Sequence, residues 1–129
     1  MSLDSCSLVS SPIGDVPKKM ILLTKLEELD LYSHKCLMHF PKVEKFLLCA
    51  EIRQTISYII KGVIRAGKKY YRKTTLEDID ILIEYLRVLI RKSFNLGYIT
   101  SKRYGIWSKH IDEIGCIVGA WIKKLGQNS

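Results

Sequence analysis

The stretch "CAEIRQTISYIIKGVIRA", residues 49–66, decides the fold. Its apolar residues recur at alternating intervals of three and four, which places them on one face of an α-helix. These residues are Cys49, Ile52, Ile56, Ile59, Val63 and Ala66. The charged residues of the stretch fall between them. The pattern therefore predicts an amphipathic helix over about residues 43–67 that buries one face.

The same spacing recurs in three further segments, at about residues 18–40, 74–97 and 100–126. Their apolar stripes are Leu22, Leu26, Leu29, Cys36 and Phe40; Leu76, Ile79, Ile83, Leu86 and Ile90; and Tyr104, Trp107, Ile111, Ile114, Val118, Trp121 and Leu125. No segment alternates with period two over a useful length. Four helices of similar length with short connections predict an all-α, up-down-up-down four-helix bundle over residues 18–126.

Local residues indicate where these helices begin and end. Pro41 should end the first helix, because a proline pushes the preceding residue out of the helical region. Thr74 followed by Glu77 fits a capping box at the start of the third helix. Gly97 is a suitable stop for that helix. Residues 1–17, "MSLDSCSLVSSPIGDVP", are expected to form a flexible tail.

The composition favours a polyanionic partner. The 129 residues suit one domain, and 21 Lys and Arg against 13 Asp and Glu give a net charge of +8. Such a balance suits nucleic acid or an anionic membrane surface. No apolar run is long enough to span a membrane, and residues 1–17 lack the pattern of a secretion signal. We therefore expect a cytoplasmic protein.

Neither a metal site nor a catalytic centre is expected. The four cysteines show no CxxC pairing and predict reduced thiols, three of them buried: Cys36, Cys49 and Cys116. His34, Cys36 and His39 lie close in sequence but on different sides of a helix. Phosphate-binding loops and hydrolase motifs are absent from the sequence. The sequence thus predicts no cofactor and no enzymatic activity.

Two groups of basic residues are candidate nucleic-acid contacts. The first comprises Lys61, Arg65, Lys68 and Arg72, spaced to share one helix face, with Lys69 and Lys73 beside them. They could also be a solvated helix end that complements the helix dipole. The second comprises Arg87, Arg91 and Lys92. Glu84 can pair with Arg87 within the helix, which leaves Arg91 for a phosphate or for an acid of another subunit.

The last helix contains two glycines in "EIGCIVGAWIKK", residues 113–124. Glycine inside a helix costs roughly 0.5–1 kcal/mol relative to alanine. Gly115 and Gly119 lie at the edge of the apolar stripe, where small residues let another helix approach closely. That helix could belong to the same bundle or to another subunit. Trp121 is expected in the core.

Three stretches of the sequence resemble a known family. They are "HFPKVEKFLLCAEIRQTI", "LEDIDILIEYLRVLIRKSFNLGYITSKRY" and "HIDEIGCIVGAWIKKL". Across about residues 20–125 the chain is similar to the accessory variability determinant (Avd) proteins of diversity-generating retroelements. It resembles more loosely the four-helix bundle proteins encoded in 23S rRNA intervening sequences.

The Avd resemblance implies a function as well as a fold. It implies a basic bundle that assembles into a homopentameric barrel, binds template RNA and cDNA with little sequence preference, and associates with a reverse transcriptase. It implies no catalytic activity. Two alternatives stay open from the sequence: a bundle of the intervening-sequence type, and a protein-interaction scaffold whose charge serves only solubility.

Overall fold

The described residues form four long α-helices. The structure is a computed structural model that describes residues 18–68 and 72–127. The helices are α1 (Lys18–Leu37), α2 (Leu48–Lys68), α3 (Lys73–Asn95) and α4 (Ser101–Gln127), with a short 3₁₀ helix, η1, at Lys42–Glu44. No strand occurs in the described ranges. The predicted all-α class is confirmed, whereas the predicted tail at residues 1–17 lies outside the described residues.

The helices follow one another around the bundle. Each contacts the next in the chain, and α4 closes the ring against α1. The α1–α2 and α3–α4 connections meet at one end, where the rings of Phe40 and Tyr98 are 5.3 Å apart. At the other end the side chain of Lys19, from α1, lies over Gly67, from α2. These contacts confirm the up-down-up-down topology.

The predicted apolar stripes form one core. Every stripe residue named above is buried except Tyr104 and Leu125, which are half-buried at its margin. Trp107, fully buried, donates its indole N–H to Ser33 Oγ at 2.8 Å. Ser33 in turn donates to the carbonyl of Leu29 at 2.7 Å. This chain of bonds satisfies the polar groups that link α4 to α1 inside the core.

The predicted helix ends are confirmed in one place and wrong in others. Gly97 has φ 80°, and the bonds from Gly97 N to Phe94 O and from Tyr98 N to Ser93 O complete a Schellman motif that ends α3. The capping box at Thr74 is wrong, because α3 starts one residue earlier and Arg72 is its N-cap, without a side-chain capping bond. Helix α1 ends at Leu37 and α2 begins at Leu48, so the connection is longer than predicted.

The cysteines agree only in part with the prediction of reduced thiols. Cys36 and Cys49 are free and buried, and burial raises the pKa of both thiols. Cys116 is buried but disulfide-bonded, so the prediction is wrong for this residue. Within the described ranges, none of the helices combines the length and apolar character needed to cross a bilayer.

Candidate nucleic-acid interface

The outward face of α2 is basic. Lys61, Arg65 and Lys68 are exposed, and the residues on the opposite side, such as Val63 and Ala66, are fully buried. The amphipathic pattern thus orients the helix so that the three cations face solvent. None of them makes an ion pair with another described residue. The structure therefore confirms their shared exposed face, without testing what binds there.

The remaining members of the first basic group stand at the start of α3. Arg72 and Lys73 are exposed there, close in sequence to the end of α2. Lys69 lies outside the described residues. The connection is short, so Arg72 and Lys73 continue the basic surface from Lys68 onto the next helix.

Three lysines that were not predicted as contacts join this surface. Lys18 and Lys19 open α1, and Lys124 lies in the last turn of α4. A Cβ added to Gly67 would lie 2.4 Å from Lys19 Cδ, so the lysine stem crosses the end of α2. Burial and the nearby Lys124 ammonium both lower the pKa of Lys18. We name this end of the bundle the basic pole; it comprises Lys18, Lys19, Lys68, Lys73 and Lys124.

The second basic group divides into two parts. Arg87 is half-buried and pairs with Glu84 on its own helix and with Asp112 Oδ1 of α4 at 3.3 Å. A Cβ at Gly115 would lie 2.7 Å from Arg87 Nη2, so the guanidinium occupies the space that this glycine leaves. The neighbour at Gly115 is thus a side chain from α3 of the same bundle. Arg87 acts first as a link between α3 and α4.

Arg91 and Lys92 remain exposed, and neither makes an ion pair with a described residue. Arg91 lines a cleft of about 170 Å³ between α3 and α4, together with Tyr104 and Ser108. Sites for small ligands commonly measure about 300–1,000 Å³. The cleft is therefore too small to enclose such a ligand, and the basic surface is better suited to an extended partner.

The remaining residues of the C-terminal motif have different surroundings. Gly119 is exposed, and an added Cβ there would meet nothing within 4 Å in the described structure. Trp121 is buried in the core. No described residue therefore fills the space beside Gly119.

An exposed apolar patch lies at the end of the bundle opposite the basic pole. We name it the apolar corner; it comprises Met38, Val43, Phe46 and Leu47, each at least 62% exposed, with Phe46 at 82%. The turn at Pro41 is predictable from the sequence, whereas this patch is not. These residues lie just outside the apolar stripes of the helices, where the helical periodicity of the sequence does not predict which side chains are buried. Contiguous apolar surface of this kind is typical of protein-interaction sites.

The described residues include no cluster of three or more His, Cys, Asp or Glu side chains that could hold a metal. His34 and His39 are exposed, whereas Cys36, between them, is buried. His34 and Cys36 thus point in different directions from α1, as their spacing predicts, and His39 lies beyond the end of that helix.

No curated protein matches the sequence. A family model described as bAvd-like matches residues 20–125, which span all four helices and nearly the whole described structure. This all-helical chain therefore belongs to the bAvd-like family.

Proposed function

We propose that the protein is a non-enzymatic accessory protein of a diversity-generating retroelement, which binds nucleic acid and associates with the reverse transcriptase. The observation that carries this proposal is membership of the bAvd-like family over residues 20–125. The exposed basic surface supports the nucleic-acid part of it. The apolar corner offers a protein partner a surface that is distinct from that basic face.

The proposed mechanism is electrostatic. Lys61, Arg65 and Lys68 on α2, with Arg91 and Lys92 on α3, present donors to phosphate oxygens of template RNA or cDNA. Phosphate contacts carry no sequence information by themselves, so binding should show little base preference. Binding releases counterions from the nucleic acid, so the affinity for nucleic acid should fall steeply as the salt concentration rises.

A homopentameric barrel is part of the proposal. Five copies of a chain with net charge +8 would present several basic faces to one strand. Linked contacts raise the overall affinity beyond that of one subunit. The proposed partners imply a cytoplasmic location.

Binding of single-stranded RNA across a salt series tests the nucleic-acid part. The variant is Lys61→Gln/Arg65→Gln/Lys68→Gln, and the matched control is Lys35→Gln/Lys42→Gln/Lys109→Gln, which removes three exposed charges elsewhere. We expect the α2 variant to lower the slope of log affinity against log salt by about 2, at about 0.7 per lost phosphate contact. The control should change it much less. Absence of any complex at about 50 mM salt would overturn nucleic-acid binding and favour a scaffold.

Co-purification tests the reverse transcriptase, and light scattering tests the pentamer. The protein should be recovered with a tagged reverse transcriptase encoded beside its gene, and Phe46→Ser should weaken that recovery if the apolar corner is the contact. Recovery of the tagged polymerase without this protein would contradict the association. A monomer at micromolar concentration would contradict the barrel.

A further inference from the structure

We infer that the basic pole is a second phosphate-binding segment, so that a bound strand continues from the outward face of α2 across the end of the bundle to α1 and α4. The inference rests on the proposed nucleic-acid binding and deepens it. It assigns contacts to Lys18, Lys19 and Lys124, which lie far apart in the sequence and meet only in the folded bundle.

Helix electrostatics do not account for the pole. Lys68 and Lys124 stand at the C-terminal ends of α2 and α4, where the helix dipole favours a positive charge. Lys18, Lys19 and Lys73 stand at N-terminal ends, where the dipole disfavours one. Intrahelical stabilisation therefore explains only two of the five lysines. The other three are unfavourable in the isolated chain, and a bound anion would offset their repulsion.

Among the described residues, no acidic side chain forms an ion pair with the pole. The ion pairs among the described residues involve Lys25 and Arg87, and none involves the five lysines of the pole. Glu77 and Asp78 are exposed in the early turns of α3 but pair with none of them. The described acidic side chains therefore leave the positive charge of the pole unpaired.

The shape of the pole favours a strand over a single small anion. Adjacent helices in a bundle lie about 8–10 Å apart, so cations on the ends of α1, α2 and α4 spread over roughly 10–20 Å. One phosphate group cannot contact all of them, whereas successive phosphates of a strand can. Lys68 belongs both to the α2 face and to the pole, which makes the two surfaces continuous.

The orientation of Lys19 supports this path. Its stem lies across Gly67, with Nζ 3.2 Å from the position of an added Cβ, so the methylene chain packs on α2. Packing of the stem holds the ammonium near the end of α2 and reduces the freedom that it would lose on binding phosphate. A side chain at residue 67 would displace this lysine.

The test compares three matched proteins in RNA-binding titrations across salt. They are the wild type, the pole variant Lys18→Gln/Lys19→Gln/Lys124→Gln, and the control Lys35→Gln/Lys42→Gln/Lys109→Gln. We expect the pole variant to lower the salt slope by about 2, so that its affinity loss between about 50 and 200 mM salt is about 15-fold smaller than that of the wild type. Circular dichroism should show the same helix content in all three.

The outcomes separate the inference from the proposed function. If the wild type binds and the pole variant behaves as the control does, the pole is not a contact, although nucleic-acid binding on α2 stands. If the wild type fails to bind, both fall. As an independent check, Gly67→Ala should reduce affinity through Lys19, whereas Gly105→Ala, at an exposed site of α4 where no described residue lies within 4 Å of an added Cβ, should not. Equal affinities for these two variants would contradict the role of Lys19.

Discussion

The same substitution, glycine to alanine, should have opposite effects at two positions of the bundle. Gly62 is buried in α2, and an added Cβ would lie 2.8 Å from Ile79 Cγ1 and 3.2 Å from its Cδ1. Gly119 is exposed in α4, and an added Cβ would meet no described residue within 4 Å. Both glycines lie inside helices, so the gain in helix propensity is similar and the difference reports packing.

The expected magnitudes follow from these contacts. Replacing a helical glycine by alanine stabilises by about 0.5–1 kcal/mol. No described residue opposes that gain at Gly119, so the melting temperature should rise by roughly 2–4 °C. At Gly62 the new methyl group meets Ile79, which is 1% exposed and cannot swing aside. Overpacking costs about 1–3 kcal/mol, so Gly62→Ala should destabilise by up to about 2 kcal/mol.

Thermal and urea unfolding, followed by circular dichroism at several protein concentrations, measure both variants. Light scattering on the same samples records the state of assembly. If Gly119→Ala destabilised the protein, the space beside Gly119 would be occupied and the prediction would be wrong. Loss of assembly in the same variant would show that another chain occupies that space. Equal effects of the two substitutions would show that packing against Ile79 does not limit Gly62.

Three further predictions concern the core, the α3–α4 link and the thiols. Trp107→Phe removes the indole donor to Ser33 and should destabilise by about 1–3 kcal/mol in urea unfolding, whereas an unchanged midpoint would contradict the role of that bond. Arg87→Gln should lower the melting temperature but leave the salt slope of RNA binding unchanged, because both carboxylate partners already hold the guanidinium; a reduced slope would contradict this. Burial raises the pKa of Cys36 and Cys49, so these thiols ionise first in the unfolded chain, and stability should fall as pH rises above about 9. In a Cys36→Ala/Cys49→Ala variant, the stability should fall less steeply with pH in the alkaline range. If the variant and the wild type show the same dependence of stability on pH, the two thiols do not cause the decline.

The fold was predictable because one period governs the chain. Residues such as Ile52, Ile56 and Ile59 fall on a stripe that only a helix can bury, and the short connections leave few topologies. The role of Gly97 was predictable because the residue that ends a helix in this way needs a positive φ, which glycine adopts easily. The start of α3 was not predictable in this way. Thr74 fits a capping box by its local sequence, but the helix already begins at Lys73.

The candidate interface was only half predictable. The cations of α2 share a face by spacing alone, so Lys61 and Arg65 could be grouped from the sequence. Lys18 and Lys124 could not, because more than a hundred residues separate them and only the closure of α4 against α1 brings them together. Arg87 illustrates the converse: its acid on the same helix was foreseeable, but Asp112 on the neighbouring helix depends on how the two helices are rotated.

The positions of the basic pole and the apolar corner give the bundle a direction. Helix α2 has 21 residues, so the two ends are separated by about 30 Å of rigid helix. In the electric field of a polyanion, the molecule would turn the basic pole toward the polyanion, and the apolar corner would face away from it. A strand held at one end and a protein held at the other would then be kept a fixed distance apart. For contacts made at the basic pole, the bundle would act as a spacer between the strand and the protein.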